Sequence, residues 1–136
     1  MQGRLLPKYK GRYQAHPVNY WESEFPIAKT LELDCIEFIL DFDDYEFNPL
    51  TNSRGLKQIN KITEENNVKV YSVCADYFME SPLHNSNLES AKISVDVLKS
   101  LIKNSSRLGI ENIVLPCVDK SSLSNQKEKD LFIRNL

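Results

Sequence analysis

The sequence predicts an α/β fold in which short parallel strands alternate with longer helices. Three observations carry this expectation. Runs at residues 35–40, 68–74 and 113–115 are dense in Val, Ile and aromatics without clean polar alternation, as in strands buried on both faces of a parallel sheet. Between these runs, apolar residues recur at helical spacing, with cap and stop residues at their ends. The alternation occurs four times in 136 residues, in units of about 34, and right-handed crossovers are expected between the strands.

The first run covers residues 1–6 and is punctuated by Pro7. From Pro7 to Tyr20 the chain has loop composition and no periodicity; loops of that length are usually functional or mobile. A helix over about residues 21–31 uses Phe25, Ala28 and Leu31. Pro26 sets its regular part near Glu24, because proline is tolerated only in a first turn. After the run at 35–40, Leu56, Ile59 and Ile62 form one apolar stripe, which Asn52 or Ser53 can cap and Asn66-Asn67 can end in a left-handed turn. The run at 68–74 leads to a longer stripe of Leu88, Ala91, Val95, Leu98, Ile102 and Leu108, with Asn87 at its front and Gly109 past its end. The fourth run, Ile113-Val114-Leu115, is followed by a segment at 124–136 carrying Leu131, Phe132 and Leu136 on one face, with nothing after it to bury them.

Composition narrows the classes. With 41% hydrophobic and 26% charged residues, four Gly and six Pro, the chain is neither disordered nor low-complexity. Seventeen basic and nineteen acidic residues leave a net charge of −2, so no strong field favours nucleic acid or an anionic membrane. No apolar run approaches the ~20 residues of a membrane helix, and the first residues lack the apolar stretch of a secretion signal. Cys35, Cys74 and Cys117 are too few and too widely spaced for a disulfide framework or a zinc knuckle. These features predict one domain over residues 1–136, without a linker, in the reducing cytoplasm.

Periodicity leaves two architectures open. A doubly wound sheet has helices on both faces and usually about five or six strands. A (β/α)8 barrel keeps its helices outside and needs about 250 residues, so four units are half of one. Specific residues favour the barrel. Met1-Gln2-Gly3-Arg4-Leu5, then Trp21, Glu24-Phe25 and Ala28, then Leu33-Asp34-Cys35-Ile36-Glu37, stand in an order that resembles the opening of the sugar phosphate isomerase/epimerase family. Ser72-Val73-Cys74-Ala75-Asp76-Tyr77, Leu108-Gly109-Ile110 and Val114-Leu115-Pro116 continue the likeness. That family belongs to the xylose-isomerase-like TIM barrel superfamily, which also holds the apurinic-site endonucleases. The resemblance spans the chain but only the N-terminal half of the family's barrel. It implies a (β/α)4 half of a TIM barrel, truncated after the fourth helix, with parallel strands and helices on the outer face. One departure is Leu31-Glu32-Leu33, where the family usually has Leu-Gly-Leu; a left-handed turn there falls on Glu32 at some cost.

Chemistry in parallel α/β proteins gathers at the carboxyl ends of the strands. Asp41, Asp76 and Asp119 follow the second, third and fourth runs, where carboxylates can bind sugar hydroxyls, join the shell of a hard cation, or simply open a loop by bonding their own backbone. Asp43-Asp44 resembles the acidic pair of phosphorelay receivers, but there the pair follows the first strand rather than the second. Glu37 lies inside an apolar run, where a carboxylate needs a partner. Arg4 on the first strand is the nearest candidate, either orienting a substrate with Glu37 or forming a structural ion pair. The loop residues Lys8, Tyr9, Lys10, Arg12, Tyr13, His16, Tyr20 and Trp21 interleave bases and rings, suited to a phosphate and a sugar or base, or to rings packed on the rim. Neither histidine sits in a metal-ligand spacing, and His84 reads as a surface-loop residue.

The substrate-binding candidates are therefore Arg4, Glu37, Asp76 and Asp119, with a sugar or sugar phosphate as ligand; no catalytic group is assigned. The resemblance implies Mn or Mg in full-length relatives, held by carboxylates and a histidine on strands beyond residue 136, so no metal or other cofactor is expected in this chain. It also implies an isomerase or epimerase fragment inactive alone. Two rivals stand beside it: an apurinic-site endonuclease-like DNA-binding fragment, although the net charge argues against nucleic acid as a partner, and a non-catalytic half-barrel. Unpaired sheet edges invite pairing, so that half-barrel would self-associate or meet a partner chain that completes the barrel.

Overall fold

The computed structural model describes residues 5–136. A 3-10 turn at Trp21–Ser23 leads into α1 (Glu24–Thr30), followed by β1 (Cys35–Ile39), two 3-10 turns (Tyr45–Phe47 and Pro49–Thr51) and α2 (Ser53–Asn66). Then come β2 (Lys69–Cys74), the single-turn α3 (Tyr77–Glu80), α4 (Leu88–Arg107), β3 (Asn112–Val114), a 3-10 turn (Asp119–Ser121) and α5 (Gln126–Asn135). The three strands form one sheet in the order β1-β2-β3, parallel throughout. The predicted first strand falls mostly outside the described residues, and Leu5 and Leu6 lie in a bend. The single turn of α3 and the 3-10 turns carried no periodicity long enough to predict.

The helix ends follow from their cap residues. Asn52 Oδ1 accepts the Gly55 amide (2.9 Å) at the start of α2, and Asn87 Oδ1 accepts those of Glu89 and Ser90 (both 3.0 Å) at the start of α4. The three helices that feed strands each end in a left-handed residue: Glu32 (φ 55°), Asn67 (φ 54°) and Gly109 (φ 69°). After α1, the Glu32 amide bonds to the Lys29 carbonyl and the Leu33 amide to that of Ala28 (both 3.0 Å); after α4, Gly109 and Ile110 repeat the pattern onto Ser106 and Ser105. These are Schellman turns. Glu32 does bear the strain that glycine would avoid.

Alternation along the strands divides the sheet into two faces. Ile36, Phe38, Leu40, Val70, Val73 and Ala75 are buried against Trp21, Phe25 and Ala28 at α1, Leu50 and Ile59 at α2, and Val97, Leu98 and Leu101 of α4. Each large side chain buried there contributes about 1.5–3 kcal/mol. On the opposite face Cys35, Glu37 and Ser72 are only half-buried, and Asn112 and Val114 are exposed. The β1–β2 register passes from Ile36↔Val70 to Glu37↔Ser72, so Tyr71 is an extra, bulged residue. In α5, Leu131 and Phe132 are half-buried, Phe132 against the core, while Leu136 is exposed. The predicted apolar face of the last helix is thus partly covered from within.

Gly55 lets α2 sit directly on the turn before it: a Cβ there would overlap the Pro49 backbone. Gly55→Ala should lower stability by about 1–3 kcal/mol through overpacking. Glu32→Gly should raise it by about 0.5–1 kcal/mol, as relief of left-handed strain outweighs glycine's extra entropy cost. Urea unfolding midpoints read both; a Gly55→Ala variant as stable as the parent would contradict the close seating of α2.

Candidate binding site at the carboxyl end of the sheet

The parallel ladder continues past the strands. Leu40 donates its amide to the Cys74 carbonyl (3.0 Å), Ala75 to Val114 (2.9 Å) and Tyr77 to Leu40 (2.8 Å). The residue after Leu40 is Asp41 and the residue before Tyr77 is Asp76, so these bonds bring the two carboxylates side by side. Both are buried. Burial raises the Asp41 pKa, Arg12 pulls it down, and the charge of Asp76 raises it again.

A hairpin from the loop before α1 meets this pair. Tyr9 and Arg12 exchange backbone hydrogen bonds (2.9 and 3.0 Å), and Lys10 and Gly11 between them both have positive φ (47° and 79°), the pattern of a type I′ turn. Arg12 Nη2 donates to Asp41 Oδ2 (3.0 Å) and to Asp43 Oδ2 (3.4 Å), while Phe42 donates its amide to Asp41 Oδ1 (3.2 Å). Gln14 Nε2 donates to Asp76 Oδ2 (2.9 Å), and the buried Cys74 thiol to Asp76 Oδ1 (3.1 Å). Tyr9 Oη (2.8 Å) and Lys10 Nζ (2.6 Å) both reach Asp44. The Lys10 bond, then that of Tyr9, holds the Asp44 carboxyl below its ordinary range. Beside the acids stand rings: Phe42, 44% exposed, lies 5.2 Å from Tyr77, which lies 5.0 Å from Tyr45.

The sequence candidates are distributed unevenly. Asp76 stands in this cluster. Glu37 lies on the less covered sheet face, where the bulge at Tyr71 sets Ser72 opposite it and the Ser72 hydroxyl donates to Glu37 Oε2 (2.6 Å). Its expected partner, Arg4, lies outside the described residues. Asp119 is exposed, in left-handed backbone (φ 50°), and no hydrogen bond or ion pair joins it to Asp76. Gln14, Phe42 and Tyr77 were not foreseen as site residues. Only their place beside strand-end aspartates or in the long loop could have signalled them.

His16 and His84 are both buried, at 5% and 9% exposure, which corrects the surface-loop expectation for His84. His16 packs 5.1 Å from Phe38 and 6.2 Å from Trp21, with no partner for Nε2 among the described residues. Two larger hollows lie away from the aspartates. One of about 460 Å³ runs between Tyr20–Glu22 and the start of α2, and one of about 440 Å³ lies between His84 and α5. We place the candidate site at the aspartates despite their shallow surface, because buried, paired polar groups converge there and not in the 460 Å³ groove.

Among the described residues no three His, Cys, Asp or Glu side chains gather closely enough to hold a metal ion, and Asp41 and Asp76 are bonded to Arg12 and Gln14. The bases of the hairpin are likewise engaged: Lys10 and Arg12 face aspartates, and Lys8 lies over the Tyr13 ring at 4.9 Å. No described helix is long and apolar enough to cross a membrane. Against known proteins, the chain matches no family model and no curated protein.

Burial lowers the His16 pKa from 6.5 to about 4. The unfolded chain therefore takes up a proton as pH falls below about 6.5 while the folded chain resists until about 4, so His16 withdraws stability through that window. The loss is on the order of 3 kcal/mol. His16→Phe keeps a ring against Phe38 and should flatten the fall in urea midpoint between pH 7 and 4.5; an equally steep fall in the variant would put the acid sensitivity elsewhere.

Proposed function

We propose that this chain is a (β/α)4 half of a TIM barrel, related to sugar phosphate isomerases and epimerases, and that the carboxyl end of its sheet binds a sugar or sugar phosphate. The sequential parallel order β1-β2-β3 and the packing of α1, α2 and α4 on one sheet face support the barrel. The observation that carries the binding reading is the Asp41–Asp76 pair on neighbouring strand ends, with Arg12, Asp43 and Phe42 standing outward beside it. Asp41 and Asp76 already accept bonds on both oxygens, so they act as fixed anchors. Arg12, whose side chain is 46% exposed, has further N–H groups for a hydroxyl or phosphate oxygen. Asp43 accepts from hydroxyls, and the Phe42 face meets the C–H side of a sugar ring.

In complete relatives, proton transfer beside a carbonyl and metal polarisation of oxygen carry the reaction. We read this chain as binding ligand without turnover, because Asp41 and Asp76 are tied to donors. Free thiols at Cys35, Cys74 and Cys117 agree with a cytoplasmic location. The less covered face bearing Glu37, Ser72, Asn112 and Val114 supports a second feature of the proposal, association with another copy or a partner chain that completes the barrel. Light scattering should then give a dimer mass, and a monomer at all concentrations would exclude self-association.

Titration of the 15N-labelled chain with neutral ketoses and their phosphates should shift the resonances of Arg12 and Phe42 saturably. Arg12→Ala should weaken binding about tenfold, the loss of one charge-assisted bond. No response to any sugar would overturn the binding proposal.

A further inference from the structure

We propose that residues 7–14 are a strap that lifts off the strand ends as one piece, so that Asp41, Asp76 and the Cys74 thiol are reached only when it is open. The segment hangs between two buried attachments, Leu6 on one side and Ala15-His16-Pro17 on the other. Between them no residue is buried, and none joins the apolar core. The backbone bonds between Tyr9 and Arg12 hold the tip together, so the hairpin can move without coming apart.

What holds the strap to the strand ends is polar. Arg12 reaches Asp41 and Asp43, Lys10 and Tyr9 reach Asp44, and Gln14 reaches Asp76. Tyr20 adds an edge-to-face contact with Tyr9 at 6.2 Å and donates its hydroxyl to the Lys8 carbonyl (3.2 Å). The Arg12 and Lys10 side chains are 46% and 48% exposed, so their ion pairs compete with water and are screened by salt. Segments with few buried apolar contacts open at the low end of a protein's range of local stabilities.

The Cys74 thiol marks what lies beneath. It shares a sheet face with Ser72, half-buried, and Val114, 45% exposed, yet is itself only 5% exposed. The difference falls where the C-terminal limb of the strap meets that face. Gln14 holds one oxygen of Asp76, whose other oxygen holds the thiol. Just beyond, Ala15, His16 and Pro17 border a small cavity with Glu37 and Ile39 of β1. Lifting the limb takes the Gln14 amide from Asp76 and admits water to the thiol. The closed strap sets Arg12 beside Asp43; on the sugar-binding reading above, a ligand bridging Arg12 and Phe42 binds the closed state and holds it shut.

N-Ethylmaleimide, a neutral thiol reagent, tests the strap on the unaltered chain, with labelling of each cysteine followed by peptide mass. Cys35, at the other end of the sheet on β1, serves as the internal reference. Raising NaCl from about 0.05 to about 1 M should speed Cys74 labelling about fivefold relative to Cys35, as screened ion pairs release the strap. At low salt, Arg12→Ala should speed it about tenfold and Lys10→Ala, an exposed change at the tip, about threefold. These rates should rise only slightly with urea below the unfolding transition, because lifting the strap exposes little surface. A Cys74 rate indifferent to salt and to both variants overturns the proposal. So does a rate that climbs with urea as steeply as global unfolding. No sugar is present in the measurement, so the strap and the sugar site can fail separately.

Discussion

The ladder between β1 and β2 determines most of what this molecule can do. Parallel strands leave their terminal amides and carbonyls to be satisfied by whatever follows them. Here the chain does so by prolonging the ladder, from Leu40 to Cys74 and back from Tyr77 to Leu40. Asn48 closes the account at β1, its side chain donating to the Ile39 carbonyl (2.8 Å) and accepting the Leu50 amide (3.0 Å). The carboxylates of Asp41 and Asp76 are consequences of that closure. The two acids stand together because they flank the residues that prolong the ladder past the strand ends.

Such a pair would repel if left bare in a partly buried place. The hairpin at Tyr9–Arg12 and the residue Gln14 answer that repulsion with a guanidinium and an amide. Lys10 and Tyr9 repeat the arrangement one step outward at Asp44. Exposed ion pairs of this kind contribute little each. Their combined effect is to give a long, aperiodic loop a defined seat on the sheet. A loop without a hydrophobic stripe is thus ordered by charges that the strand ends had to expose.

Much of this was legible in the residues. Asn52, Asn67, Asn87 and Gly109 mark helix ends where the structure has them, because caps and left-handed turns are local events decided by one or two side chains. Pro26 fixed the start of α1 for the same reason. The strand-end position of Asp76 followed from its place after an apolar run. What escaped was non-local. Gln14 is 62 residues from Asp76, and no pattern in a loop announces such a contact. The burial of His84 depends on α5 folding back over the β2–α4 connection, where Phe132 comes within 6.4 Å. Glu37 needed a partner, as a carboxylate in an apolar run does, but Ser72 came opposite it only through a bulge that alternation does not reveal.

That bulge has a bearing on how the chain can change in length. With Tyr71 left out of the count, Val70, Ser72, Val73 and Cys74 alternate regularly between the two faces and match Ile36, Glu37, Phe38 and Ile39 in step. An ancestral or engineered deletion of that one codon would leave every other side chain of β2 on its own side, costing chiefly the acceptor of the Glu111 amide (3.1 Å). A second deletion in the same strand has no such slack to absorb it. It would shift Val73 or Cys74 across the sheet and pull the acidic end of the neighbouring strand out of alignment.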